Sequence, residues 1–180
     1  TLCELLAETD LLIISDYLYE SVKPALFTRI KEKFPDMITI IDSRNNLSEF
    51  RKVTYATPNE PEIKKMFPGA YFRGEEDFYR AGSELLNIIE AEGIILKRGY
   101  KGMIVFEKNK EPETIAIHGS SDIVDGAGAG DTVISVAGLA LAAGADLPSS
   151  ARLANIAGGI VVMKEGAYPI SLNELQHELK

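Results

Sequence analysis

The stretch Asp125-Gly126-Ala127-Gly128-Ala129-Gly130-Asp131-Thr132 is the most informative in the chain. It follows Ile123-Val124, read as the end of a strand, and opens a helix expected from about Asp131 to Ala143. Small residues let a backbone approach a ligand closely. The first N–H groups of a helix have no partners within it, and the dipole is positive at that end. A glycine turn feeding a helix is therefore suited to an anion such as phosphate. Two other glycine signatures fail. A P-loop needs Gly-Lys-Ser/Thr, and G-x-G-x-x-G counted from Gly126 would need glycine where Asp131 stands. A carboxylate at the mouth of an anion pocket repels phosphate, so Asp131 needs a reason. One is a helix N-cap, worth about 1 kcal/mol. The other is a general base that takes a proton from a hydroxyl attacking a phosphoryl group. The glycine packing around it favours the base.

Working outward, short apolar runs alternate with helical periodicity. Leu11 to Ile14, Met37 to Ile41, Val53 to Ala56 and Ile94 to Leu96 read as buried strands. Val22, Ala25, Leu26 and Ile30 fall on one helical stripe, with Pro24 in its first turn. A short helical piece is expected at about Asn46 to Arg51. Phe78, Ala81, Leu85 and Ile88 mark a second stripe. Met103 to Glu107 and Glu113 to His118 read as a hairpin turning at Lys108-Asn109-Lys110. Helices are expected again at about Ser149 to Lys164 and Leu172 to Leu179. This alternation predicts a parallel sheet covered on both faces, in one domain spanning 1–180.

The composition excludes several classes. Of 180 residues, 46% are hydrophobic and 26% charged, which is incompatible with wholesale disorder. Lys+Arg 19 against Asp+Glu 27 leaves a net charge of −8, a poor match for nucleic acid. The apolar runs are too short to span a bilayer, and no basic region precedes a long apolar stretch at the start. The single cysteine, Cys3, cannot form an internal disulfide; it reads as a small buried residue in a reducing, cytoplasmic setting. His118 and His177 lack metal-like spacing and read as surface or packing residues.

Asp125 to Thr132 resembles the D-T-x-G-A-G-D-T signature of the ribokinase-like (PfkB-type) carbohydrate kinases. Thr57-Pro58-Asn59-Glu60-Pro61-Glu62 is similar to that family's T-P-N-x-x-E, and Arg98-Gly99-Tyr100-Lys101-Gly102-Met103 to its R-G-x-x-G-M. Leu153 to Gly159, followed by Val161 to Gly166, resembles its C-terminal nucleotide-site helix. Ser15-Asp16-Tyr17 and Ile41-Asp42-Ser43-Arg44 resemble the S-D-Y and I-D-P-K of the heptose-phosphate kinases related to ADP-heptose synthesis. The resemblance implies a three-layer αβα sheet, mostly parallel, without the N-terminal strands and β lid of whole family members. It implies ATP and Mg²⁺ as cofactors, with K⁺ also in view, and a sugar or sugar phosphate as acceptor. Asp131 would be the catalytic base, and the N–H groups of Gly128, Ala129 and Gly130 an anion hole. Asn59 and Glu62 would orient magnesium and the phosphates through water, or else form a helix cap with its partner. Arg98, Gly99 and Asn155 would lie near the nucleotide, Asn155 alternatively as a packing amide. Asp125 would sit near a monovalent cation, or serve the turn.

The chain departs from the family pattern in places. Gly126 replaces a Thr or Ser, Lys97 a Thr, and Val136 a small residue. Leu18-Tyr19-Glu20 replaces the G-K-G of the heptose branch, and Glu20 disfavours a phosphorylated heptose. The beginning at Thr1 and the missing sugar half point to roughly the C-terminal three-fifths of a kinase. A noncatalytic nucleotide-binding or assembly domain, and a kinase for a nucleoside or vitamin-like alcohol, are the alternatives. An uncovered apolar sheet edge predicts self-association or pairing with a separate N-terminal half.

Overall fold

Side-chain alternation along the strands decides which layer each residue joins. In the computed structural model, which describes residues 1–17, 22–119 and 123–179, six strands form one sheet. They are β1 (Leu11–Asp16), β2 (Ile38–Ser43), β3 (Tyr55–Ala56), β4 (Gly93–Lys97), β5 (Met103–Glu107) and β6 (Glu113–Ile115), side by side in chain order. β1 to β4 run parallel; β5 and β6 each pair antiparallel with the strand before. The expected hairpin is therefore present, and it turns the far side of the sheet antiparallel.

One face of the sheet carries Leu12, Ile14, Ile41, Ile94, Leu96, Ile104 and Phe106. They pack with Phe27 of α2 (Pro24–Lys33), Ile63 of α3 (Glu60–Met66) and Phe78 and Leu85 of α4 (Glu75–Ile88). The residues between them, among them Leu11, Ile13, Ile40, Ile95, Met103 and Val105, join the opposite core. That core is closed by α5 (Ala129–Ala142) and α6 (Leu147–Val161). Small residues set the layer spacing. A Cβ on Gly138 of α5 would lie 3.0 Å from Leu11 Cδ2, and one on Gly82 of α4 only 2.2 Å from the Phe106 ring. Val136, bulkier than the family pattern, packs partly buried against the α5 core.

The remaining helices are α1 (Leu2–Ala7) and α7 (Leu172–Glu178), with short 3₁₀ turns at Leu47–Glu49 and Gly99–Lys101. α1 buries Leu6 against Ile30 and Met37, and this leaves Cys3 exposed, contrary to the expectation of burial. A six-residue helix has an outer face, and Cys3 is on it. Ile123-Val124 is exposed and not a strand; Val124 and Asp125 both donate to the Val162 carbonyl, at 2.9 and 3.1 Å. β6 ends earlier than expected, at Ile115. Among the described residues, no helix is long and apolar enough to cross a membrane. The Leu18-Tyr19-Glu20 departure lies outside the described residues.

Candidate active site

The parallel strands bring their carboxyl ends to one rim, the usual place for a ligand in such sheets. The register matches Ser15 with Asp42 and Asp16 with Ser43, and an isolated bridge matches Asn59 with Lys97. Parity then sorts these residues. Ser15, Asp42 and Lys97 share the side of Ile13, Ile40 and Ile95, which is the side of α5. Asp16 and Ser43 take the other side, where the Ser43 hydroxyl donates to Asp16 Oδ2 at 2.8 Å.

The glycine turn meets this rim from α5. Gly128 caps the helix in a left-handed conformation, φ 77°, which glycine adopts without a side-chain penalty. Asp131 is therefore the third helical residue, and the N-cap reading is overturned: the helix begins earlier because Gly128 can make the turn. Asp131 is exposed on the rim. It accepts hydrogen bonds from the Tyr17 hydroxyl, 2.8 Å to each oxygen, and from the Ser15 hydroxyl at 3.2 Å. The bond from Tyr17 to Asp131, with some burial, pushes the Tyr17 hydroxyl above its ordinary pKa. The Arg44 guanidinium stacks on the Tyr17 ring at 4.5 Å.

Two clefts open on either side of this turn. One, of about 330 Å³, is lined by Asp16, Tyr17, Asp42, Arg44, Glu62 and Asp131 together with Gly126 to Gly128. The other, of about 470 Å³, runs along Arg98, Gly99, Met103, Val133, Asn155 and Val162. Asn59, Lys97 and Gly130 border both. The site residues expected from sequence, Asp125 excepted, thus line these two clefts, with Ala129 and Asn155 on the larger and Gly128, Glu62 and Asp131 on the smaller.

Their side-chain roles differ from one another. Asn59 caps α3: its Oδ1 accepts the Glu62 N–H at 2.9 Å, while Glu62 accepts from the Asn59 backbone and amide, each at 2.8 Å. This reciprocal box fixes both side chains at the rim. Glu62 is 8% exposed, and burial pushes its carboxyl above the ordinary range. Arg98 borders the larger cleft, but its guanidinium is paired with Glu60 and Glu75. The Asn155 amide donates to the Ala116 carbonyl at 2.7 Å, a packing contact made from a cleft-lining residue. The Ala129 N–H reaches the Gly126 carbonyl at 3.3 Å. Both Asp125 oxygens accept backbone N–H groups, from Ala127 at 2.9 Å and Gly166 at 3.0 Å, which holds its carboxyl below the ordinary range. That is turn chemistry.

Among the described residues, no group of three or more His, Cys, Asp or Glu could cage a metal. Magnesium does not require one, because it keeps several waters and binds through one or two carboxylates plus substrate phosphates. A fixed, cleft-facing Glu62 beside Asn59 fits that mode. For a nucleotide, the larger cleft offers apolar walls at Met103, Ile117 and Val162 and ends at the α5 amides.

Sequence reading passed over three residues at this rim. Lys97 counted only as a replacement for Thr, and Asp42 and Tyr17 only as parts of branch motifs. Yet Lys97 Nζ lies 2.5 Å from Asp42 Oδ2, beside Gly130. The available signal was parity: residues 42 and 97 each stand two beyond an apolar strand residue facing α5.

The chain is similar to several known proteins. A bifunctional protein HldE of Desulfatibacillum aliphaticivorans is 36% identical over 177 residues, covering 96% of this chain and 36% of that protein. That of Geobacter sulfurreducens is 31% identical over 172 residues, covering 92% and 34%. The chain thus spans about a third of the length of these relatives. Among solved structures, a ribokinase of Arabidopsis thaliana complexed with ribose and ATP superposes with a TM-score of 0.83 at 19% identity, over 98% of this chain and 58% of that one. Thermotoga maritima ribokinase gives 0.77 at 24% identity, with the same coverage. These likenesses bear out the three-layer ribokinase-like fold. The model of the pfkB family carbohydrate kinases matches residues 1–174. The chain belongs to the pfkB carbohydrate kinase family.

Proposed function

We propose that this chain is the nucleotide-binding part of an ATP-dependent kinase that phosphorylates a hydroxyl of a sugar or sugar phosphate. One observation carries the reading: a rim carboxylate, Asp131, accepts hydroxyl hydrogen bonds at the point where the glycine turn separates two clefts. The Tyr17 hydroxyl occupies the position an acceptor hydroxyl would take, at 2.8 Å from the base. An incoming alcohol displacing it would give its proton to Asp131. The alcohol oxygen would then bond to the terminal phosphorus of ATP as the bond to the bridging oxygen breaks, and ADP would leave. The Gly128 and Gly130 amides and the positive end of α5 would face the charge spreading over the transferred group. Magnesium, when bound through Glu62 and Asn59 by way of water, would neutralise phosphate charge. Arg98 and Asn155 would shape the nucleotide cleft, and Gly99 would lie against the nucleotide. The outer side of β1, an edge strand among the described residues, would be covered by an N-terminal portion or a second copy. A cytoplasmic location suits the lone exposed thiol of Cys3.

The test is phosphoryl transfer from ATP to a panel of sugars, sugar phosphates, nucleosides and vitamin-like alcohols, by the protein that carries this chain. Transfer to a sugar that Asp131→Asn abolishes, with the circular dichroism spectrum unchanged, supports the reading. Transfer to nucleosides alone would redirect the acceptor. Nucleotide binding without transfer to any alcohol would make this a noncatalytic domain, and undiminished turnover in Asp131→Asn would remove the base.

A further inference from the structure

Lys97 stands where the two clefts meet, and its environment is unusual for a cation. Its side chain is 14% exposed and that of Asp42 is 17% exposed, with 2.5 Å between Nζ and Oδ2. A Cβ placed on Gly130 would lie 3.6 Å from Lys97 Nζ and 3.7 Å from Asp42 Oδ2. The ammonium thus lies beside the opening turn of α5, the positive end of that helix. Cations are disfavoured there and anions favoured. An arrangement with two positive poles facing each other is completed by an anion between them. Asp42 supplies part of that negative charge from the side. The charged and polar groups sharing the smaller cleft with the pair include Asp131 on α5, Asn59 before α3, Glu62 on α3, Asp16 on β1 and Arg44 just after β2. A polyphosphate entering from the larger cleft would otherwise meet mainly carboxylates.

We propose that Lys97 is a phosphate-binding residue, held ready by Asp42 at the junction of the clefts, that contacts the terminal end of the nucleotide's polyphosphate. Lysine suits the task because its compact ammonium has three donors; one can stay on Asp42 while the others reach phosphate oxygens. Asp42 is the positioning residue. The inference deepens the kinase reading of the same site and rests on it.

The experiment is calorimetric titration of the chain with magnesium and ADP or a nonhydrolysable ATP analogue. Lys97→Met weakens binding of the ATP analogue about tenfold, the loss of one charge-assisted contact, and binding of ADP less. Lys97→Arg keeps part of the affinity. Asp42→Asn keeps an oxygen that orients the ammonium and removes a like charge from the phosphate's surroundings, so it tightens the analogue. The double variant Asp42→Asn with Lys97→Met leaves no unpaired charge to unsettle the fold, and binds the analogue about tenfold more weakly than Asp42→Asn alone. Two results overturn the inference alone: nucleotide binding indifferent to Lys97→Met, or a double variant that binds as tightly as Asp42→Asn, which would make Lys97 merely the counter-ion of Asp42. Absence of nucleotide binding by the unmutated chain overturns the kinase reading and this inference together.

Discussion

The two clefts are built by different means. The larger is lined by the start of α3, the turn after β4, the first turns of α5 and the C-terminal half of α6. Its walls are mostly apolar, and its polar side chains are committed elsewhere, Arg98 to two glutamates and Asn155 to a carbonyl. The smaller is assembled from the ends of β1, β2 and β4, the cap of α3 and the start of α5. It is crowded with charge: Asp16, Asp42, Glu62 and Asp131 against Arg44 and Lys97. Shape governs the first region and charge balance the second, so a substitution should act through packing in one and through protonation or ion pairing in the other.

The sharpest break of this contrast is at Asp131. Asp131→Asn keeps the helix start, because Gly128 makes it, and removes the base. Turnover should fall by about 10²- to 10⁴-fold, the range for a lost general base. A fall in thermal stability of comparable weight would instead assign Asp131 to packing.

Next come the glycines on either side of the junction. Gly128→Ala forces a side chain into a left-handed backbone at φ 77° and should cost about 1–2 kcal/mol in denaturant unfolding. Gly130→Ala meets only ordinary contacts, at 3.6 and 3.7 Å. Its stability should change by less than about 0.5 kcal/mol, the usual spread for benign substitutions, while nucleotide affinity drops. Equal destabilisation by both would erase the distinction between a conformational and a ligand-facing glycine.

Tyr17 tests the smaller cleft alone. Its hydroxyl competes with the acceptor for Asp131, so Tyr17→Phe should lower the acceptor KM a few-fold and leave nucleotide affinity unchanged. A raised acceptor KM would show that the hydroxyl assists binding instead.

The smallest effect concerns Glu62 and pH. Burial raises its carboxyl pKa in the folded state. The folded state then binds the proton more readily than the unfolded chain. Stability from this group is therefore largest below the ordinary Glu value and declines as pH rises through the raised one. Glu62→Gln keeps a capping-box partner without titrating. The melting temperature of the unmutated chain should slip relative to Glu62→Gln as pH rises from about 4 to 7. A gap that stays constant with pH would contradict the burial of the charge.

Much of the fold was legible because its causes are local. The apolar runs of β1, β2 and β4, the stripe of α4 and the hairpin turn at Asn109, φ 63°, follow from periodicity and turn chemistry over a few residues. So does the Asn59 and Glu62 box, whose members are three apart. The misreadings had tertiary causes. Cys3 is exposed because a short helix must choose a face, and Leu6 takes the buried one. Ile123-Val124 looked like a strand, but the Val124 amide bonds to Val162 at the end of α6.

By itself the sequence determined the alternating elements, the two-sided burial of the strands and a glycine turn ending in a carboxylate, because each is a preference acting over one or two turns of chain. Tertiary structure alone decided that Tyr17 would lie on Asp131, 114 residues away, and Lys97 on Asp42, 55 residues away. The reason is physical: whether two charges meet across a sheet depends on strand register and on which face each residue takes, and both are set only when the strands pair and the helices close over them.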